Sequence, residues 1–234
     1  AWADHNYGIR WLRDNVDANW KKLKLKISGL YTSTAKTSLY PIVGIDPGGW
    51  ATSELVLEGD TTTLGNVLFN VTGDNAIEAV NNITAWRVQG IEFRSTAVGV
   101  LADFGSTIYL GKNKFGACAI HAQALYGGKI ECVDYYTISG AAGTHVFASK
   151  SGQILMVSGK TVTISGTPAL STAFAVAQDG GLLTLQGTTY SGSATGTRWL
   201  IDDYGVIEFG GSTNGAELNT LPGNANGSFT PLPI

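Results

Sequence analysis

The chain has 234 residues and a net charge of −3, and only 14% of its residues are charged. No stripe of basic residues runs along it, so the chain lacks the clustered positive charge that marks nucleic-acid-binding proteins. No run approaches the roughly 20 apolar residues of a membrane span, and we predict no membrane insertion. The 31 glycines lack the every-third-residue period of collagen and lie beside short apolar runs, as turn residues do in strand-rich proteins.

The N-terminal segment is the part of the chain in which apolar residues recur at helical spacing. Between residues 7 and 20, the side chains of Ile9, Leu12, Val16 and Trp20 fall on one side of a helix. The lysines that follow alternate with apolar residues, which is typical of a strand with one wet face. We therefore assign residues 1–27 to an N-terminal cap, a short helix and a first strand, which covers the open end of the fold.

A repeated pattern follows, in which a Gly or Asn precedes a short alternating strand. The markers are Asn82, Gly105, Gly128, Gly152, Gly181 and Gly205, at steps of 23, 23, 24, 29 and 24 residues. A second strand precedes each marker, at 76–80, 99–103, 122–126, 146–150, 175–179 and 199–203. A third strand follows in several repeats, at 137–140, 163–166 and 189–192. Periods of this length predict a solenoid.

The predicted fold class is all-β: a right-handed, single-stranded parallel β-helix (solenoid) with a short N-terminal capping helix. Its coils occupy residues 28–209. Residues 210–234 are rich in Gly, Asn and Pro, and we expect them to form a C-terminal tail or linker.

Alternation along the second strand predicts which side chains face outward. The outward column is Ile77, Val100, Gln123, Phe147, Val176 and Leu200. Glu78 falls in the neighbouring inward column and fits it poorly. An apolar stripe on the outside predicts an interface, and we expect three chains to close into a ring around it. Two alternatives stay open: the inside and outside are inverted, or the tail covers the stripe.

Five segments resemble a right-handed β-helix domain of bacteriophage tail fibre and tailspike-like proteins. They are residues 115–119 (FGACA), 136–140 (YTISG), 163–169 (TISGTPA), 191–198 (SGSATGTR) and 221–225 (LPGNA). The resemblance spans roughly residues 65 to 226. It implies a structural protein of a virion or prophage, a homotrimer that contacts other tail proteins and is extracellular during host attachment. It supplies no catalytic motif.

His121 and His145 occupy equivalent positions one coil apart, so their side chains are expected about 5 Å from each other on the outer surface. A metal site or a pH-sensitive contact is one interpretation. A metal usually takes three or more protein ligands, and no third residue fits. We therefore predict a stacked pair in a surface or interface ladder, with no metal and no cofactor.

Carboxylates recur after the second strand. Asp179 and Asp202 lie on adjacent coils near one turn, within the range that glycoside hydrolysis needs for its two carboxyl groups. Asp also favours turns for its own backbone hydrogen bonds, which is the more economical explanation. Whether the chain is an enzyme stays open at this point, with the weight against it.

Exposed aromatic residues beside Asn, Asp and Gln suit the stacking of sugar rings. Tyr126, Tyr135 and Tyr204 lie near turns and are the predicted glycan-binding residues. The predicted function is that of a tail fibre or tailspike-like module that attaches to a host cell-surface glycan. The alternatives are a glycan depolymerase with a carboxylate pair on one face and a passive trimeric shaft.

Overall fold

The protein folds as an all-β parallel β-solenoid of about six turns with one short helix at its N-terminus, which confirms the predicted solenoid and cap. The computed structural model describes residues 4–17, 22–42, 55–81, 84–209 and 216–230. The predicted positions Trp20 and Asn82, and the tail segments 210–215 and 231–234, lie outside the described residues.

One α-helix, α1, spans His5–Asn15, and a 3₁₀ helix spans Ala216–Thr220. The first strands are β1 (Leu23–Lys26), β2 (Tyr31–Ser33), β3 (Thr37–Leu39), β4 (Leu55–Glu58), β5 (Val67–Val71), β6 (Ile77–Val80), β7 (Trp86–Gln89), β8 (Glu92–Asp103), β9 (Thr107–Leu110), β10 (Lys114–Ala124) and β11 (Lys129–Cys132). The remaining strands are β12 (Tyr136–Ile138), β13 (Ala142–Ala148), β14 (Gln153–Met156), β15 (Thr161–Ile164), β16 (Ala169–Ala177), β17 (Leu182–Thr184), β18 (Thr189–Ser191), β19 (Thr195–Gly196), β20 (Trp199–Ile201), β21 (Val206–Glu208) and β22 (Ser228–Phe229).

The strands form two parallel sheets. The first has eight strands in the order β1-β4-β7-β9-β11-β14-β17-β21. The second has fourteen strands. They form one sheet because β8 and β10 are long: β8 pairs with both β5 and β6, and β10 pairs with both β12 and β13. Each turn repeats the path of the previous one about 4.8 Å further along the axis, so equivalent side chains form columns.

Apolar columns fill the interior. In the eight-stranded sheet, Ile108, Ile130, Ile154 and Leu183 are hydrogen-bonded neighbours in register, and all four are fully buried. Their strands read polar–apolar in alternation, so one face is wet and the other packs in the core. Burial of such a side chain contributes about 1.5 to 3 kcal/mol before the entropy of ordering is subtracted.

Close approach explains the glycine that precedes many strands of the eight-stranded sheet. A Cβ on Gly152 would lie 2.0 Å from the carbonyl oxygen of Ala124 in the preceding turn. Gly128, Gly181 and Gly205 face the same obstacle, at 2.1 to 2.2 Å from the equivalent alanine carbonyls. A side chain would push the two turns apart, so the marker in the sequence reflects steric exclusion.

The register of the first coils differs from the prediction by one residue. Ile77 pairs with Val100, and Val100 pairs with Ala122, so the step between the last two is 22 residues where the prediction took 23. Ile77 and Val100 consequently face the core and are fully buried, and their outward assignment was wrong. Glu78 faces outward instead, where its carboxylate binds Lys36 Nζ at 3.0 Å.

The N-terminal helix is shorter than predicted. Ile9 is fully buried and Leu12 packs against the core, as its spacing predicted. Val16 follows the helix in an extended conformation. The helix begins earlier, at an N-cap formed by Asp4, whose carboxylate accepts a hydrogen bond from the backbone of Asn6 at 2.8 Å.

His5 joins this helix to the first turns. Its ring stacks on Phe69 with 4.7 Å between centroids, and its two nitrogens contact the hydroxyls of Tyr31 and Thr37. The helix therefore covers the N-terminal end of the core, which confirms its predicted role as a cap.

Candidate functional site

A row of exposed residues lines the corner where each turn leaves the fourteen-stranded sheet and enters the eight-stranded one. This corner row consists of Phe104, Tyr126, Lys150, Asp179 and Asp203. Backbone hydrogen bonds between successive turns fix the alignment, and every member has a left-handed φ between 41° and 52°. In that conformation the side chain projects from a tight turn away from the core columns, so the row is available to solvent.

Two rings of the corner row stack on one another. Phe104 and Tyr126 are parallel within 3°, with 4.8 Å between centroids, and are 51% and 43% exposed. On the other side of Tyr126, Lys150 places Nζ 4.4 Å from the ring centroid and donates a hydrogen bond to the Tyr126 hydroxyl. That hydrogen bond is the main cause that raises the pKa of Lys150, with smaller contributions from Asp179 and Asp103.

The three predicted glycan-binding tyrosines are all exposed, but the fold divides them between two corners. Tyr204 follows the corner row directly and is 75% exposed. Tyr135 lies at the opposite corner of its turn, after β11, and is 47% exposed. Its ring is covered on one side by Lys112, whose Nζ lies 4.8 Å from the centroid. The outer face of the eight-stranded sheet therefore has exposed aromatic residues along both margins.

Both carboxylates proposed as a catalytic pair accept hydrogen bonds from neighbouring groups of the chain. Asp179 accepts hydrogen bonds from Ser149 Oγ at 2.8 Å and from Gln178 Nε2 at 3.3 Å. Asp202 accepts from the backbone of Asp203 at 3.0 Å. In the register of the turns, Asp179 stands beside Asp203, not Asp202. A hydrogen bond to the local backbone accounts for Asp202, whereas Asp179 is bonded by two side chains, one of them in the preceding turn.

The outward apolar stripe is partly as predicted. Phe147 pairs with Val176, and Val176 pairs with Leu200, in a column that faces away from the core. Because the register differs by one residue, Leu101 occupies the position in this column that the prediction gave to Val100. Val176 and Leu101 are nevertheless buried by their neighbours, while Phe147 and Leu200 are half-buried.

The two histidines lie in the core, so their predicted surface position was wrong. Both are fully buried. His121 Nε2 donates to the carbonyl oxygen of Gly116 at 2.9 Å, which leaves His121 Nδ1 to accept from His145 Nδ1 at 3.0 Å. His145 Nε2 then accepts from the Tyr136 hydroxyl at 2.7 Å. Only neutral rings satisfy this chain in the stated direction.

Burial sets the protonation of these rings. It lowers the pKa of His121 to about 4 and holds that of His145 well below its ordinary value, where the neighbouring His121 adds to the effect. The rings pack among aromatic residues: His145 is 4.8 Å from Phe174 and 5.7 Å from Phe115 between centroids. The pair is therefore a neutral, hydrogen-bonded part of the core.

Other chemistry-bearing residues are structural as well. Burial raises the pKa of both cysteines, Cys118 and Cys132, to about 12, which disfavours the reactive thiolate. Among the described residues, no three His, Cys, Asp or Glu side chains converge as metal ligands. Within the same ranges, no helix has the length and apolarity needed to cross a bilayer.

Sequence reasoning missed Phe104 as a surface aromatic. It lies between Asp103 and Gly105, in the same aromatic-glycine context as Tyr126-Gly127 one turn later. Correct alignment of those two glycines, rather than of Gly105 with Gly128, would have placed the two rings together.

Comparison with known proteins gives no relative. The chain matches no family model, no curated protein and no solved structure.

Proposed function

We propose that this protein is a glycan-binding attachment module of the bacteriophage tail fibre or tailspike type. The stacked and exposed pair Phe104 and Tyr126 is the observation that carries the proposal. These large rings lie at a tight turn outside the core, where much of their surface stays exposed to solvent. Because Phe104 and Lys150 lie on the two faces of Tyr126, the pair offers the Phe104 ring and the exposed ring edges as an apolar surface, which suits a sugar ring. The phage context rests on the resemblance of the repeat segments.

The test measures binding of the full chain to immobilised surface polysaccharides from a panel of bacteria, by biolayer interferometry. We expect Tyr126→Ala to weaken binding by roughly 2- to 13-fold, which corresponds to the about 0.5 to 1.5 kcal/mol of an aromatic contact. Tyr126→Phe keeps the ring and should stay near wild type. Tyr7→Ala, on the exposed face of α1, is the control for loss of a tyrosine elsewhere.

The same samples address the hydrolase alternative. If Asp179 and Asp202 are catalytic, incubation with a bound polysaccharide releases reducing ends, and Asp179→Asn abolishes the release. We expect binding without release. A polysaccharide panel that wild type does not bind at all contradicts the attachment function and leaves the passive shaft.

A further inference from the structure

A notch lies beside the corner row, one residue further along each turn. The residues at this position are Gly105, Gly127, Ser151, Gly180 and Tyr204, all with left-handed φ between 62° and 74°. Gly180 lies between Ser151 and Tyr204 in successive turns. The backbones of Ser151 and Tyr204 are therefore two strand spacings apart, about 10 Å, and Gly180 places no side chain between them. A Cβ added at Gly180 would meet only Ser151 Oγ, at 3.9 Å.

A backbone separation of about 10 Å is wide enough for one sugar ring. A ring in van der Waals contact with Tyr204 lies about 4 Å from it, which leaves space for a hydroxyl or amine to reach Ser151. Ser151, Gly180 and Tyr204 are all exposed, so a ligand would meet no obstacle from the described chain.

The flanking charges are negative. Asp179 and Asp203 stand beside the notch in the corner row. The Asp203 carboxylate makes no hydrogen bond or ion pair within the described residues, so it is available to a ligand. The nearby cation, Lys150, is held at Tyr126 on the side away from the notch.

The chain itself shows that this corner accepts an ammonium group. Lys150 Nζ is held by the ring and hydroxyl of Tyr126, and the charge of Asp179 favours its protonated form. Tyr204 with Asp203 repeats the combination of ring and carboxylate three turns later, without a lysine beside it. An ammonium group over an aromatic face next to a carboxylate is favoured by both interactions.

We propose that the notch over Gly180 binds one pyranose ring that carries a protonated amine, stacked on Tyr204 with its ammonium paired to Asp203 and Asp179. The proposal rests on the glycan-binding function and names the class of sugar that this part of the surface selects. Acidic sugars are repelled by the same two carboxylates.

Two probes with one backbone test it: the tetramer of β-linked glucosamine and its fully N-acetylated form, titrated calorimetrically into the full chain at about pH 6 and about 0.05 M salt. We expect the amine form to bind about tenfold tighter, a difference of about 1.4 kcal/mol. Asp203→Asn should bring the two affinities together, since Asn tolerates the left-handed turn. Asp134→Asn removes a carboxylate that directly precedes the exposed Tyr135 at the opposite corner, and it should preserve the preference.

Gly180→Asn fills the notch without a clash and should abolish binding of both tetramers. Its matched control is Gly159→Asn, which has nearly the same φ and open surroundings but lies at the opposite corner, after β14. Equal affinity of wild type for the two tetramers, or wild-type binding by Gly180→Asn, overturns the notch proposal. If bacterial polysaccharides still bind through Tyr126 in that event, the attachment function stands. If wild type binds neither tetramer nor polysaccharide, both proposals fail.

Discussion

All three histidines of the chain are buried, and each is satisfied by neighbours that suit a neutral ring. His121 and His145 form one hydrogen-bonded chain with Tyr136. His5 lies between Tyr31, Thr37 and Phe69, where burial lowers its pKa to about 4 despite the opposing charge of Asp4. Protonation of any of them would place a charge among apolar groups.

We expect stability to fall as the pH drops from about 6.5 towards 4. Each folded-state pKa lies below the unfolded value of 6.5, so the unfolded chain binds more protons in this window. For each histidine, every pKa unit between the unfolded and the folded value removes about 1.4 kcal/mol of the free energy of unfolding once the pH lies below both values. Urea unfolding at a series of pH values measures the loss.

Ring resonances of the folded protein, followed by NMR, separate this cause from the titration of carboxylates. The three histidines should remain neutral at pH 5.5. Histidine signals that titrate near 6.5 in the folded state would contradict their burial as the origin of the acid sensitivity.

The helix α1 is the element that closes the N-terminal end of the solenoid. Ile9→Ala should destabilise the protein by about 2 to 4 kcal/mol, because the side chain is fully buried against the first turns. In a solenoid each turn contacts mainly its neighbours, so the loss should be local. Hydrogen exchange should accelerate in β1 to β6 while β14 to β17 stay protected.

Arg10→Ala, on the exposed side of the same helix, is the control and should leave both the unfolding midpoint and the exchange pattern near wild type. If hydrogen exchange in Ile9→Ala accelerates equally along the whole chain, the solenoid unfolds as one unit. That result would contradict the local role of the cap.

At this scale the sequence predicts strand positions well and their register less well. The strands after Gly128 and Gly152 start where the markers place them, because steric exclusion at those glycines is a local property. The register of the first coils depends on a turn that is one residue shorter, which alternation alone does not reveal. That single residue moved Ile77 and Val100 from the surface to the core.

The site was harder to predict than the fold. Exposure of Tyr126, Tyr135 and Tyr204 follows from their place in turns and was predicted correctly. The core position of the His121 and His145 pair was not, because a bend within the strands turns these residues inward where simple alternation places them outside. The notch over Gly180 needs the alignment of three turns, which only the folded chain provides.

For the whole molecule, we predict a homotrimer closed around the column of Phe147, Val176 and Leu200. Light scattering should give three times the chain mass of 24.5 kDa. Phe147→Asp should reduce the mass to that of one chain, since a charge in the interface would be left unpaired. Leu155→Asp, on the outer face of β14, is the control and should remain trimeric. A wild-type mass of 24.5 kDa would show that neighbouring side chains within one chain shield the stripe sufficiently.

The corner row and the core columns belong to the same turns but impose separate demands on the sequence. A core position must fit the turns above and below it, whereas a corner position must only tolerate a left-handed backbone. Surface chemistry and stability are therefore encoded by different residues of each coil. Single substitutions at the corner, at a spacing of about 4.8 Å, can therefore change the chemistry of the exposed surface while the scaffold that presents it stays unchanged.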